Sequence, residues 1–248
     1  MNKIKVFALI LVCTLLFSGC GKENKYVNVG VNMSTAGMSL YLTNTVQGFS
    51  KVSSYVLFAE NSEEAVERVR MKKHGIDITY LPAEDLSLIK AGDDLKVVFI
   101  DCFTESGKIK GVWVANVGWL TNAPTYSYRF IKGLARSVDY RTDHLNMNYS
   151  EALAELKGVR DIDWDKYPEV MEYCAAYATA NNEVLSDTGF VSKDSASLKT
   201  MFEGFDEKKG EGYELCLEAY GAYCGTDCET FEELFDLSLA IKAFDDKD

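Results

Sequence analysis

The chain has 248 residues, 47% of them hydrophobic, enough for one large domain or two small ones with a real core, and wholesale disorder is excluded. Its 38 acidic and 26 basic residues give a net charge of -12, which argues against a nucleic acid, or an anionic lipid surface, held through a basic face. In chain order, Lys3 and Lys5 precede an apolar run from Val6 to Phe17, broken only by Thr14 and leading to Ser18-Gly19-Cys20. That pattern is a secretory signal peptide, too short to span a bilayer, and no later segment has the length of apolar sequence that a span needs.

Phe17-Ser18-Gly19-Cys20 resembles a bacterial lipobox, with Phe17 where leucine is more usual. The resemblance implies cleavage before Cys20 and acylation of that cysteine; the alternative is a plain signal peptide with Cys20 unmodified. Residues 1–19 are then a lipoprotein signal, 20–25 a lipidated tether and 26–248 a single domain, held on the extracytoplasmic face of the cell membrane through its lipid. Loss of Lys3 and Lys5 takes the net charge from -12 to -14. Of the seven cysteines, Cys13 leaves with the signal and Cys20 is committed to lipid, so Cys102, Cys174, Cys216, Cys224 and Cys228 cannot all pair within one chain. Buried or free thiols are the default, with a disulfide among Cys216, Cys224 and Cys228 as the alternative. No histidine follows His144 to complete a zinc set, so no metal and no cofactor is expected.

Tyr26 to Asn32 alternates apolar and polar residues, a strand, and a polar loop over Met33 to Gly37 leads to a helix over Met38 to Val46. Val52 to Phe58 is β-branched and aromatic, a second strand. Asn61 with Glu64 three residues on resembles a capping box opening a helix with Ala65, Val66 and Val69 inward. Ile76 to Tyr80 is a strand, Pro82 to Lys90 a short helix, and Leu95 to Cys102 a strand apolar enough to be buried on both faces. This alternation predicts an α/β fold with a parallel sheet and helices packed on it. After Glu105-Ser106-Gly107, Gly111 to Val117 is one more strand, and Pro124 opens a long helix to about Tyr140 with Phe130, Ile131, Leu134 and Val138 inward. Beyond Asn146 the chain reads as helices: one capped by Asn148 and Glu151, then Asp165 to Asn181, Ser195 to Phe205, Tyr213 to Tyr223 and Glu229 to Phe244.

This order resembles that of extracytoplasmic solute-binding proteins of ABC importers, the type II periplasmic binding fold, in the group handling nitrate, sulfonates, taurine and thiamine-precursor pyrimidines. The residues that carry the likeness are Ser39-Leu40-Tyr41-Leu42 after the first strand, Gly75 before Ile76-Asp77-Ile78, Leu95-Lys96-Val97-Val98, Asn122-Ala123-Pro124 and Phe231 to Asp236. Family members normally carry a second α/β lobe after the strand matched by Val97 to Cys102. Here only Phe103 to Lys110 intervenes before Gly111 to Val117, which matches the returning strand, so the chain resembles a single lobe with a helical C-terminal third.

In an open parallel sheet, ligands sit beyond the carboxyl ends of the strands. That places Asn32, Ser34 and Thr35 after the first strand as candidate ligand contacts, with helix capping as their structural alternative. Tyr80 ends the third strand and could stack on a planar ligand; Asp101 and Asn116 end the strands bordering the hinge that the resemblance implies, and Trp119 lies just beyond. Core packing is the alternative for Tyr80 and Trp119, and loop capping for Asp101. No nucleophile motif surrounds His74 or His144, and the glycines occur singly, so no enzyme is expected. The resemblance implies a small polar or anionic solute and an ABC permease as partners. A second possibility is a lobe that docks on a permease or forms a homodimer, without binding a small molecule.

Overall fold

The computed structural model describes residues 26–32, 53–71, 75–90, 92–143, 193–223 and 234–246, with a few positions between 148 and 191. The first 25 residues, the loop over 33–37, the helix over 38–46 and most of 146–181 lie outside the described residues, and with them Cys20, Ser34 and Thr35.

Five strands form one sheet: β1 Tyr26–Asn32, β2 Ser53–Ala59, β3 Ile78–Pro82, β4 Leu95–Phe103 and β5 Ile109–Asn116, in the order β2-β1-β3-β5-β4. β1 is parallel to β2 and β3, whereas β5 is antiparallel to both β3 and β4. Four strands therefore point one way, as the alternation of elements predicts, and the fifth runs back between two of them. The link decides this. Thr104 N–H donates to Lys108 O at 2.8 Å and Gly107 N–H to Thr104 O at 2.9 Å, closing a tight turn in which Gly107 has φ 84°. Glycine adopts that left-handed conformation without a Cβ penalty. A turn this short can join only antiparallel neighbours.

β1 and β4 are central to the core. Val27, Val29 and Val31 are fully buried, and every residue of β4 except Lys96 is buried, so this strand is covered on both faces as its composition implies. Helix α1, Ser62–Arg70, turns Ala65, Val66 and Val69 inward, and Asn61 caps it by accepting from Glu64 N–H at 2.9 Å. The Glu64 carboxylate reaches back to Glu60 N–H at 2.7 Å, one residue before the cap. Replacing Asn61 with alanine should cost about 1 kcal/mol of stability, read by urea denaturation. A 3₁₀ turn, Ala83–Leu88, separates β3 from β4.

Helix α2, Val117–Asn122, leads into α3, Pro124–Asp143, whose buried face includes Phe130, Ile131, Leu134 and Val138. Asn148 and Glu151 cap each other reciprocally, each backbone N–H donating to the other's side chain at 3.0 Å. The described C-terminal elements are α4 Ser195–Asp206, α5 Gly210–Tyr223 and α6 Ser238–Asp245. Both ends of edge strand β4 are covered: Val97 bridges Phe235 in parallel, and Phe103 bridges Val191 through two hydrogen bonds of 2.9 and 2.7 Å. Phe99, Phe202 and Phe244 join α4 and α6 to the sheet, with ring centroids 5.5 to 6.0 Å apart.

Candidate functional site

The carboxyl ends of the parallel strands, Asn32, Ala59, Pro82 and Phe103, define one edge of the sheet. Beyond the β4 end of that edge lies a groove of about 1070 Å³ between the end of α3, α4 and the start of α5. Local bonding fixes its walls. Asp139 of α3 accepts from Ser195 N–H at 2.9 Å and from Ser195 Oγ at 3.0 Å, locking α3 to the start of α4. Asp194 caps α4, accepting from the N–H and the hydroxyl of Ser197, both at 2.9 Å. These backbone and hydroxyl donors hold its carboxyl below the usual range. The Lys193 ammonium lies 4.9 Å from the Phe103 ring centroid, seating one end of the groove on the end of β4.

α4 reverses into α5 through Lys208, φ 55°, and Gly210, φ 81°. Gly212 then brings α5 against α4 backbone to backbone: a Cβ there would stand 2.1 Å from Met201 O. Ser197 and Thr200 face the groove from one wall and Glu207, Lys209 and Glu211 from the other, with Lys193 and Glu211 paired at 3.4 Å. Hydroxyls and charges of both signs, four acidic side chains (Asp194, Glu203, Glu207, Glu211) beside two lysines, suit a small polar molecule held by hydrogen bonds.

Of the residues that the sequence points to, the described ones, Asn32, Tyr80, Asp101, Asn116 and Trp119, do not line this groove. Asn32 ends β1, its backbone paired with Ala59 at the carboxyl edge. Tyr80 is fully buried, its ring edge-on to Trp113 at 6.1 Å and its hydroxyl 3.8 Å from Cys102 Sγ. Burial pushes both the Tyr80 hydroxyl and the Cys102 thiol well up, so both stay neutral. Asp101 is also fully buried, accepting from Trp113 Nε1 at 2.6 Å and forming an ion pair with Arg141 of α3.

Asn116 lies at the opposite, amino edge of the sheet because β5 runs antiparallel; its register partner is Leu95, the first residue of β4. It caps α2 by accepting from Trp119 N–H at 3.2 Å and donates to Val69 O at 2.8 Å. At that edge the Asp77 carboxylate accepts from Asn28 N–H at 2.7 Å, and burial raises its pKa more than that bond lowers it. Trp119 is buried against Phe130, at 6.3 Å between centroids. Cys102 and Cys216 are buried free thiols, which removes Cys216 from any disulfide with Cys224 or Cys228. Lys193, Ser197, Thr200 and Glu211 were not singled out from sequence. The one available signal was the hydroxyl-rich helix start Asp194-Ser195-Ala196-Ser197 placed after a lysine.

No protein-family model matches the chain, and no curated protein matches it in sequence. Among solved structures, the ligand-binding component of an ABC-type import system from Staphylococcus aureus, with zinc bound, is similar over 89% of this chain and 99% of that one, at 10% identity and a TM-score of 0.52. The chain has the fold of an ABC-importer binding protein. Looser likenesses are to the Candida albicans CA3427 product, described as having the generic periplasmic binding protein fold (7% identity, 80% of this chain and 95% of that one, TM-score 0.46), and to the alkanesulfonate-binding protein SsuA from Xanthomonas axonopodis pv. citri bound to MOPS (10%, 76% and 94%, 0.38). At these identities the likeness is one of fold. Among the described residues of this binding-protein fold, no group of three or more His, Cys, Asp or Glu side chains is placed to hold a metal ion, and no helix is long and apolar enough to cross a membrane.

Proposed function

We propose that this chain is a solute-binding lipoprotein of an ABC importer, cleaved before Cys20, acylated there, and held on the extracytoplasmic face of the membrane. Residues 26–248 form its single α/β lobe, which captures a small polar solute and presents it to a permease. The observation that carries this reading is the polar groove beyond the carboxyl end of β4, on a fold shared with an importer's ligand-binding component. Its excess of carboxylates favours a neutral, zwitterionic or cationic solute over the anion that the sequence resemblance implies. Asn32 ends β1 at the same edge, and it is proposed as a further contact together with Ser34 and Thr35, which come two and three residues later in the sequence. A docking module would need an exposed apolar patch near the strand ends, and Tyr80 and Trp119 are buried in the core instead.

A thermal-shift screen against amines, amino acids, sulfonates and pyrimidines tests the proposal. At a hundredfold excess over the dissociation constant a bound solute adds about 2.7 kcal/mol, which for a chain of this size raises Tm by roughly 5–10 °C. A rise with amines or amino acids is expected. A cooperative melt that no class of compound moves would put docking or homodimerisation first. The mass of the amino-terminal peptide reports acylation of Cys20 independently.

A further inference from the structure

The charges of this acidic chain are not evenly spread. Among the described residues, Arg68, Arg70, Lys108, Lys193, Lys199 and Lys209 each pair with a carboxylate within 4 Å. Three cations on the outer face of α3 form no ion pair with a described residue: Arg129, which is exposed, and Lys132 and Arg136, which are half-buried. Their spacing of three and then four residues puts them in one row along the helix, opposite its buried stripe. The Arg129 guanidinium stacks over Tyr126, 5.6 Å from its centroid. The carboxylates at the end of neighbouring α6 are engaged elsewhere, Asp245 by Lys199 and Asp246 by the Tyr128 hydroxyl.

The position of the row is as telling as its charge. α3 packs on β1, and its first turn follows α2 from the amino edge of the sheet, where β1 begins. Tyr26 is six residues beyond Cys20, a span of at most about 20 Å when fully extended. A chain held at Cys20 therefore keeps the amino edge, and the start of α3, within reach of the bilayer.

We propose that the outer face of α3 rests on an anionic phospholipid surface, with Arg129, Lys132 and Arg136 against headgroup phosphates. The proposal builds on the reading that the chain is tethered at Cys20. It departs from the expectation set by net charge because the three cations are grouped ahead of the last turns of α3, where Asp139 and Asp143 follow on the same side, and a basic row beside a lipid anchor supplies the second attachment that stable membrane binding uses.

The test is lysine footprinting of the full chain on vesicles of phosphatidylcholine alone and of phosphatidylcholine with phosphatidylglycerol. An amine-reactive acetylating reagent is used and each lysine is followed by mass spectrometry. Acetylation of Lys132 should slow about fivefold on the anionic vesicles, the factor expected from the attraction of one basic residue to such a surface. That of exposed Lys209 should not change, and 0.5 M salt should abolish the difference. The Arg129→Gln, Arg136→Gln double variant should lose most of the protection. Equal rates on both vesicles, or failure of the chain to associate with anionic vesicles, would overturn the proposal. Equal protection by soluble polyglutamate would overturn it in favour of an acidic protein partner. Acylation of Cys20, read from peptide mass in the same sample, separates failure of the tether from failure of the basic face.

Discussion

Replacing Arg141 with alanine is expected to lower Tm by roughly 6–20 °C, the largest effect of any single change away from the groove. Arg141 and Asp101 are 1% and 0% exposed, and their ion pair joins α3 to β4 through the core. Arg141 Nη2 also donates to Asp101 O at 3.1 Å, and the Asp101 carboxylate accepts from Trp113 Nε1. Removing one partner leaves the other charge buried and uncompensated, which costs about 3–5 kcal/mol, and a chain of this length loses about 2–4 °C per kcal/mol. Removing both charges while keeping volume, as in Arg141→Met with Asp101→Leu, should cost less than either single change to alanine, because no orphan charge remains. Thermal melts followed by tryptophan fluorescence decide this. A single variant within 1 °C of the wild type would mean that the pair does not hold α3 to the sheet.

Gly212→Ala is the second large effect, and it bears on the groove. The new methyl would stand 2.1 Å from Met201 O and 2.5 Å from Met201 Cγ. A backbone oxygen cannot swing aside, so α5 must move away from α4, at about 1–3 kcal/mol or more. That displacement shifts Glu211 relative to Lys193 and deforms the groove, so solute binding should weaken together with stability. Gly221, in the same helix, has nothing within 4 Å of a built Cβ. Gly221→Ala should therefore stabilise by up to about 1 kcal/mol, as alanine does in an open helix position. Urea denaturation of the two variants side by side separates the close approach from helix propensity. Equal effects of the same sign would remove the close approach as the explanation.

What the sequence revealed follows from the range of each signal. β1, β4 and the buried stripe of α3 were legible because burial imprints a period on consecutive residues, and the Asn61–Glu64 and Asn148–Glu151 caps because both partners lie within one turn. The direction of β5 was legible in principle: Phe103 to Lys110 is far too short for a parallel crossover, and Gly107 marks a hairpin turn. That direction carries Asn116 and Trp119 to the amino edge, so two candidate ligand contacts lie away from the crevice. Tyr80 and Asp101 have chemistry that suits a ligand, and only tertiary packing turns them inward. The partner of Asp101 is 40 residues away on a helix whose own pattern gives no hint of a buried arginine. The groove was hidden for the same reason: its walls come from the end of α3, the start of α4 and the start of α5, none informative alone.

The groove between α4 and α5 is proposed to hold the solute. Ala196 is exposed on α4 and lines that groove, so Ala196→Trp fills it without disturbing the core. The decisive measurement is a calorimetric titration of wild type and Ala196→Trp with the compound that most raises Tm. A loss of affinity of about tenfold or more is expected, equivalent to at least about 1.4 kcal/mol, with the melting temperature of the unliganded protein unchanged. Undiminished affinity in the filled variant would mean that the solute sits elsewhere on the protein.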